Sequence, residues 1–276
     1  MLMKKKVVVL LCAMMGSGLS LAQVATDSAT PAAATESQQA ANALLQRMAT
    51  NLAGAQRFQV DMLASYDSVQ ADGQKIEFSE KRQISLERPS LLLSETHNSD
   101  GTADFLLFDG KSITVNNTQD KVYARAPQPG DIDATIKYFL GGLHMRLPLA
   151  VMLMSSFPQE LEKRVIDISS VEETDILGEP TQHLAGRTQD VDFQVWITTD
   201  NRALPLRIVL TYRQAAGEPQ FRANFSNWKF NPSFSQKMFQ FEPQPGAREL
   251  PFAASFTQES VTGTGTASPA TSGEKP

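Results

Sequence analysis

The chain has 276 residues, with Lys and Arg totalling 25 against 30 Asp and Glu, a formal net charge of −5 and one cysteine. Those figures exclude a disulfide scaffold, a nucleic-acid binder that works through a basic surface, and a disordered acidic tail protein.

In residues 1–22, Lys4, Lys5 and Lys6 precede an apolar run from Val7 to Met15, and the segment closes on Ser20-Leu21-Ala22. This is the pattern of a secretory signal peptide, with cleavage expected after Ala22. The run is about half of the ~20 residues that span a bilayer. Cys12 lies inside it, behind Leu10-Leu11 where a lipidation signal has a small residue, so no lipid anchor is expected. The mature chain then has no cysteine, and losing three lysines and no acid takes its charge to −8.

Residues 23–37 and 253–276 are rich in Ala, Thr, Ser, Gly and Pro without hydrophobic periodicity, and read as a disordered linker and tail around one folded domain, 38–252. Ala41, Leu44, Leu45, Met48 and Leu52 form one apolar stripe of a helix over 40–52, stopped by Gly54. The period then becomes two. Phe58, Val60, Met62, Ala64 and Tyr66 alternate with polar residues, and further short strands follow between the turn pairs Asp72-Gly73, Asp100-Gly101 and Asp109-Gly110.

After Pro127-Gln128-Pro129-Gly130, Asp131 is placed to cap a helix through Ile132, Ile136, Phe139 and Leu140, ending at Gly141-Gly142. A second helix is predicted after Pro148, running to Pro158. Strands resume at about 170–177, 182–188, 191–198, 206–214, 220–230 and 238–241. The spacing favours one curved antiparallel sheet or barrel.

The residues that carry chemistry elsewhere are scattered. His97, His144 and His183 fall in different elements and no zinc-site spacing joins them. Gly16-Ser17-Gly18 lies in the export segment and has the wrong spacing for a nucleophile elbow. The acidic pair Asp131 and Asp133 is expected to serve a helix N-terminus, and Glu172 with Glu173 a solvated loop. No catalytic residue, cofactor, metal or nucleic acid is therefore expected. What stands out is Leu143–Phe157, where Met145, Met152 and Met154 sit among leucines, because methionine adapts to irregular apolar partners.

Arg88-Pro89, then Phe108-Asp109-Gly110-Lys111 with Val122-Tyr123-Ala124, and Phe239-Gln240-Phe241-Glu242-Pro243 through Gly246-Ala247 stand in this order. Together they resemble the LolA/LolB-like superfamily of periplasmic lipoprotein carriers. Leu147-Pro148-Leu149, Val191 to Ile197, and Pro219-Gln220-Phe221 with Trp228 look like its branch of predicted periplasmic proteins of unassigned function. The resemblance covers about 40–252 and implies an α+β, mainly antiparallel β fold. The sheet is expected to be an unclosed half-barrel, with short helices as a lid over a concave face that holds acyl chains. In the carriers the arginine of the Arg-Pro pair lines the cavity and hydrogen-bonds the lid backbone, a role that maps onto Arg88. Where they have an aromatic residue shortly afterwards, this chain has Leu91-Leu92-Leu93.

The expected ligand-facing and lid residues are Arg88, Leu92, Phe105, Leu107, Phe139, Met145, Met152, Met154 and Trp196. The leading expectation is a non-catalytic, monomeric periplasmic carrier or binding protein for a lipid, acylated protein or other hydrophobic ligand. The alternative is a sensor or adaptor that binds a protein partner of the outer or inner membrane on the same scaffold, with an enzyme third.

Overall fold

The computed structural model describes residues 31–142, 147–176 and 178–252. The predicted signal peptide, most of the predicted linker and the predicted tail lie outside them. Helix α1 runs Pro31–Gly54, beginning nine residues before the predicted helix and inside the segment read as linker. Its stripe is as expected: Ala41, Leu45, Met48 and Leu52 are at most 2% exposed. Ala49 joins them, and Leu44 packs at the margin.

Six strands follow as a meander: β1 (Arg57–Val69), β2 (Lys75–Glu87), β3 (Leu91–Asn98), β4 (Ala103–Phe108), β5 (Ser112–Asn117) and β6 (Val122–Pro127). The chain then crosses one face of the sheet as α2 (Ile132–Lys137), a π turn (Tyr138–Gly142), a 3-10 turn (Ala150–Leu153) and α3 (Phe157–Arg164). A second meander returns as β7 (Asp167–Ile176), β8 (Glu179–Arg187), β9 (Val191–Thr198), β10 (Pro205–Tyr212) and β11 (Gln220–Phe230). A final short strand, β12 (Arg248–Leu250), pairs in parallel with β6. Pairing of β11 with β1 joins the two meanders into one unclosed 12-stranded sheet whose edges are β12 and β7. Among the described residues no helix is long and apolar enough to cross a membrane.

Period-two alternation sorts the side chains onto two faces. One face carries Phe58, Val60, Met62, Ile84, Leu92, Phe108, Ile113, Leu184, Val195 and Ile208 into the main core. There they meet α1 and, from the central helical segment, Ile132, Ile136, Phe139, Met152, Met154 and Phe157. The opposite face of β3 and β4 has its own small core, Leu93 and Leu107 against Phe239, flanked by Phe105, Met238 and Phe241. The C-terminal segment covers it through a 3-10 turn, Gln236–Phe239, in place of the strand predicted over 238–241.

The second predicted helix is also displaced. Leu149 takes a left-handed conformation (φ 64°), so only the short turn Ala150–Leu153 forms after Pro148. Pro158 then opens α3 instead of ending a helix. A first-turn proline gives up an N–H that has no intrahelical acceptor there. Glu172 and Glu173 lie in strand β7, not in a loop.

One close approach fixes part of the sheet. Phe193 on β9 faces Gly186 on β8, and a Cβ at Gly186 would stand 2.7 Å from the ring's Cε1. Strand propensity alone makes Gly186→Ala stabilising, whereas the ring makes it overpacked. The expected result is a loss of about 1–3 kcal/mol in urea unfolding, partly recovered when Phe193→Leu is added.

Candidate ligand-binding site

Arg88 follows the last residue of β2, where the chain turns away from the sheet beneath the ends of two helical segments. The side chain is half-buried, and its donors go to backbone carbonyls. Nε reaches Ala55 O (3.0 Å), Nη2 reaches Leu52 O (3.3 Å) and Nη1 reaches Leu153 O (2.9 Å). Leu52 is in the last turn of α1, where its carbonyl also accepts from Ala55 N at 3.4 Å, and the guanidinium opposes the negative end of the helix dipole. Leu153 ends the 3-10 turn that carries Met152. Burial pushes Arg88 below its ordinary pKa, and the Asp133 carboxylate pulls it back up.

Asp133, in the first turn of α2, makes the complementary tie. Its carboxylate accepts from Ser155 N (2.7 Å), Ser155 Oγ (3.0 Å), Ser156 N (3.1 Å) and Ser156 Oγ (2.8 Å). Desolvation pushes this carboxyl up, and the hydrogen bonds outweigh it, so its pKa lies below the ordinary value. Asp131 is the helix cap, accepting from Ala134 N at 2.7 Å. Both members of the pair therefore lie at the helix N-terminus as expected, Asp131 as the cap and Asp133 in the first turn. The two ties, Arg88 to Leu153 and Asp133 to Ser155-Ser156, both fasten the C-terminal end of the methionine-bearing turn, with Met154 between them.

Beneath the helical segments, Leu92, Phe139, Met152 and Met154 are all in the main core. At its margin a cleft of about 620 Å³ is lined by Lys137, Leu140, Gly141, Met154, Glu160, Arg164 and Asp190. Its floor is apolar and its rim carries both signs of charge. Hydrogen bonds from Arg164 hold Glu160 below its ordinary pKa. Towards the hairpin ends of the sheet the same face continues as a cross-strand row, Phe193, Leu210, Phe221, Tyr66 and Phe78. Tyr66 and Phe78 stack at 5.9 Å.

Three expected residues are not on this side. Phe105 and Leu107 belong to the opposite face, with Phe239 and Phe241, because the core-facing positions of β4 are Leu106 and Phe108. Trp196 also points outward, since Val195 and Ile197 on either side of it are in the core. Its ring stacks on His183 at 3.9 Å and lies under the Arg207 guanidinium at 5.5 Å. Met145 and His144 lie outside the described residues. Asp133 was expected at the helix N-terminus and not as a tie to Ser155-Ser156, and the row from Phe193 to Phe78 was not expected as a unit. The Asp133 contact spans 22 residues and has no local signature, whereas the row was foreshadowed by alternation in β1 and β9.

Among the described residues no three His, Cys, Asp or Glu side chains are grouped to hold a metal ion. The arrangement offers hydrophobic contact, reversible hydrogen bonds to main-chain carbonyls and a charged rim, which suit retention of an apolar molecule.

Residues 41–253 match the family model described as a predicted periplasmic protein, DUF2092. No curated protein matches. Among solved structures, LprF from Mycobacterium bovis is 13% identical over 71% of this chain and 95% of its own, with a TM-score of 0.46. An uncharacterized conserved protein from Thermus thermophilus is 12% identical over 77% of this chain and 99% of its own, with a TM-score of 0.45. A LolA superfamily protein from Nitrosomonas europaea is 12% identical over 73% and 97%, with a TM-score of 0.35.

Proposed function

The chain belongs to the DUF2092 family of predicted periplasmic proteins, and we propose that it is a non-catalytic periplasmic carrier or binding protein for a lipid, acylated protein or other hydrophobic ligand. The observation that carries this reading is the way the methionine-bearing turn is fastened. Arg88 and Asp133 hold its C-terminal end, at Leu153 and Ser155-Ser156, by hydrogen bonds that can break and reform, while its underside is Met152 and Met154 over the apolar sheet face. Methionine repacks around irregular apolar partners at little cost, so the same groups serve as core without ligand and as ligand wall with it. Arg88, Leu92, Phe139, Met152 and Met154 form the ligand-facing and lid set in this reading.

Titration of the mature full-length chain with a fluorescent fatty-acid probe tests it. The expected result is saturable binding with one probe per chain, displaced by unlabelled long-chain fatty acid. Absence of saturable binding contradicts the proposal.

A second reading, a protein-binding adaptor, is favoured by β7. This edge strand of the sheet leaves Val171 52% exposed beside Glu172 and Glu173, and an edge strand can pair with an incoming extended segment. A stoichiometric protein partner without lipid in a periplasmic pull-down favours this reading over the first.

A further inference from the structure

The core-facing side of the sheet changes character between its halves. On β1, Met62 and Ala64 are apolar and fully buried. Their partners across β2 are Arg82 and Glu80. Continuing the Arg82 row gives Thr96 on β3 and Asp104 on β4, and the Glu80 row reaches Asn98 on β3. Each lies an even number of residues from a main-core side chain of the same strand, Ile84, Leu92 or Phe108, and therefore faces the helices.

This polar patch is costly where it stands. Glu80 and Arg82 pair at 2.6 Å with side chains only 11% and 27% exposed, and such pairs are poor contributors to stability. Arg82 Nε is shielded from water and has no acceptor among the described residues. Asp104 is desolvated and takes a hydrogen bond from Asn98 at 3.0 Å. The Nε itself is shut off, and the 27% of the Arg82 side chain that stays exposed is where a ligand oxygen can meet the guanidinium.

The charges decide which ligand. An anion alone meets Glu80 and Asp104 beside Arg82, and a cation alone meets Arg82. A group with both charges satisfies all three. The apolar neighbours Met62, Tyr66 and Phe78 adjoin the patch on the same face, so the chemistry is amphiphilic. We propose that the Arg82–Glu80–Asp104 patch binds the zwitterionic aminophosphate headgroup of a lipid, with Arg82 on the phosphate and Asp104 on the ammonium. The inference deepens the lipid-binding reading and rests on it.

The test uses the mature full-length chain with short-chain fluorescent phosphatidylethanolamine, phosphatidylglycerol of the same chains, and free phosphoethanolamine as competitor. Phosphatidylethanolamine is expected to bind at least about tenfold more tightly than phosphatidylglycerol. Arg82→Gln and the isosteric Asp104→Asn are each expected to abolish that preference while leaving fatty-acid-probe affinity and circular dichroism unchanged. Asp104→Asn alone decides the matter if Arg82→Gln does not fold. Equal binding of the two lipids, with the fatty-acid probe still bound, overturns the headgroup site and leaves the lipid-binding reading standing. Failure to bind lipid and probe alike overturns that reading and the headgroup site with it. Displacement by free phosphoethanolamine at the lipid's own concentration range overturns the amphiphile and points to a small-molecule site.

Discussion

Arg88→Leu is expected to speed dissociation of a bound acyl probe by about 10- to 100-fold, because lifting the methionine-bearing turn breaks the Arg88–Leu153 bond, and a hydrogen bond to a charged group is worth about 1.5–3 kcal/mol. The other two bonds tie the end of α1 and stay closed when only the turn lifts. Their loss appears instead in stability. With leucine filling part of the space, the expected cost is about 3 kcal/mol, or roughly 6–12 °C in Tm for a domain of this size. Stopped-flow release of the probe reads the first effect and thermal unfolding the second. Unchanged release with a lowered Tm means that Arg88 only stabilises the fold.

Acidification is expected to loosen the same turn through its other tie, Asp133. The Asp133 carboxyl has a pKa below its unfolded value, about 3.9 for an ordinary aspartate, because four hydrogen bonds favour the charged form. A group depressed on folding contributes stability that is fully present above its unfolded pKa and is lost as pH falls through its folded one. Protection of the Ser155 and Ser156 amides against hydrogen exchange is therefore expected to be constant above about pH 5 and to fall steeply below about pH 4. In Asp133→Asn the protection is expected to be low at every pH, with the acid step removed. The difference between parent and variant isolates Asp133 from other depressed carboxyls such as Asp109 and Glu160. An acid step that survives in Asp133→Asn assigns the loosening to those groups.

The strands were legible because Phe58, Val60, Met62 and Ala64 alternate cleanly, and so do Val191, Phe193, Val195 and Ile197. Each alternation marks a single buried face. Phe105, Leu106, Leu107 and Phe108 gave no such phase, since the C-terminal segment covers the opposite face and all four positions are apolar. Trp196 was legible in principle, standing in the polar phase of β9. The misplaced second helix turned on Pro158, which a sequence reader can assign to either end of a helix. The left-handed Leu149 and the capture of the Ser155 and Ser156 amides by Asp133 settle its position, and both depend on tertiary contacts. Strand β12 escaped notice because three residues carry no period and its pairing with β6 closes a loop of more than a hundred residues.

The site was half legible. The Arg88-Pro89 pair pointed to a guanidinium beneath a helical cover, and three main-chain acceptors are found there. The Arg82 and Glu80 patch was hidden because Ser79 to Gln83 is polar at every position; even spacing from Ile84 and the register with Met62 and Ala64 turn those two side chains inward.

The central claim is that this fold keeps an apolar molecule beneath a reversibly fastened cover. Native mass spectrometry of the mature protein purified from the periplasm, followed by organic extraction, tests it most directly. An added non-covalent mass is expected, extracting as an amphiphile and leaving faster from Arg88→Leu than from the parent. A chain that is consistently empty as isolated, and that stays empty after incubation with lipid, contradicts it.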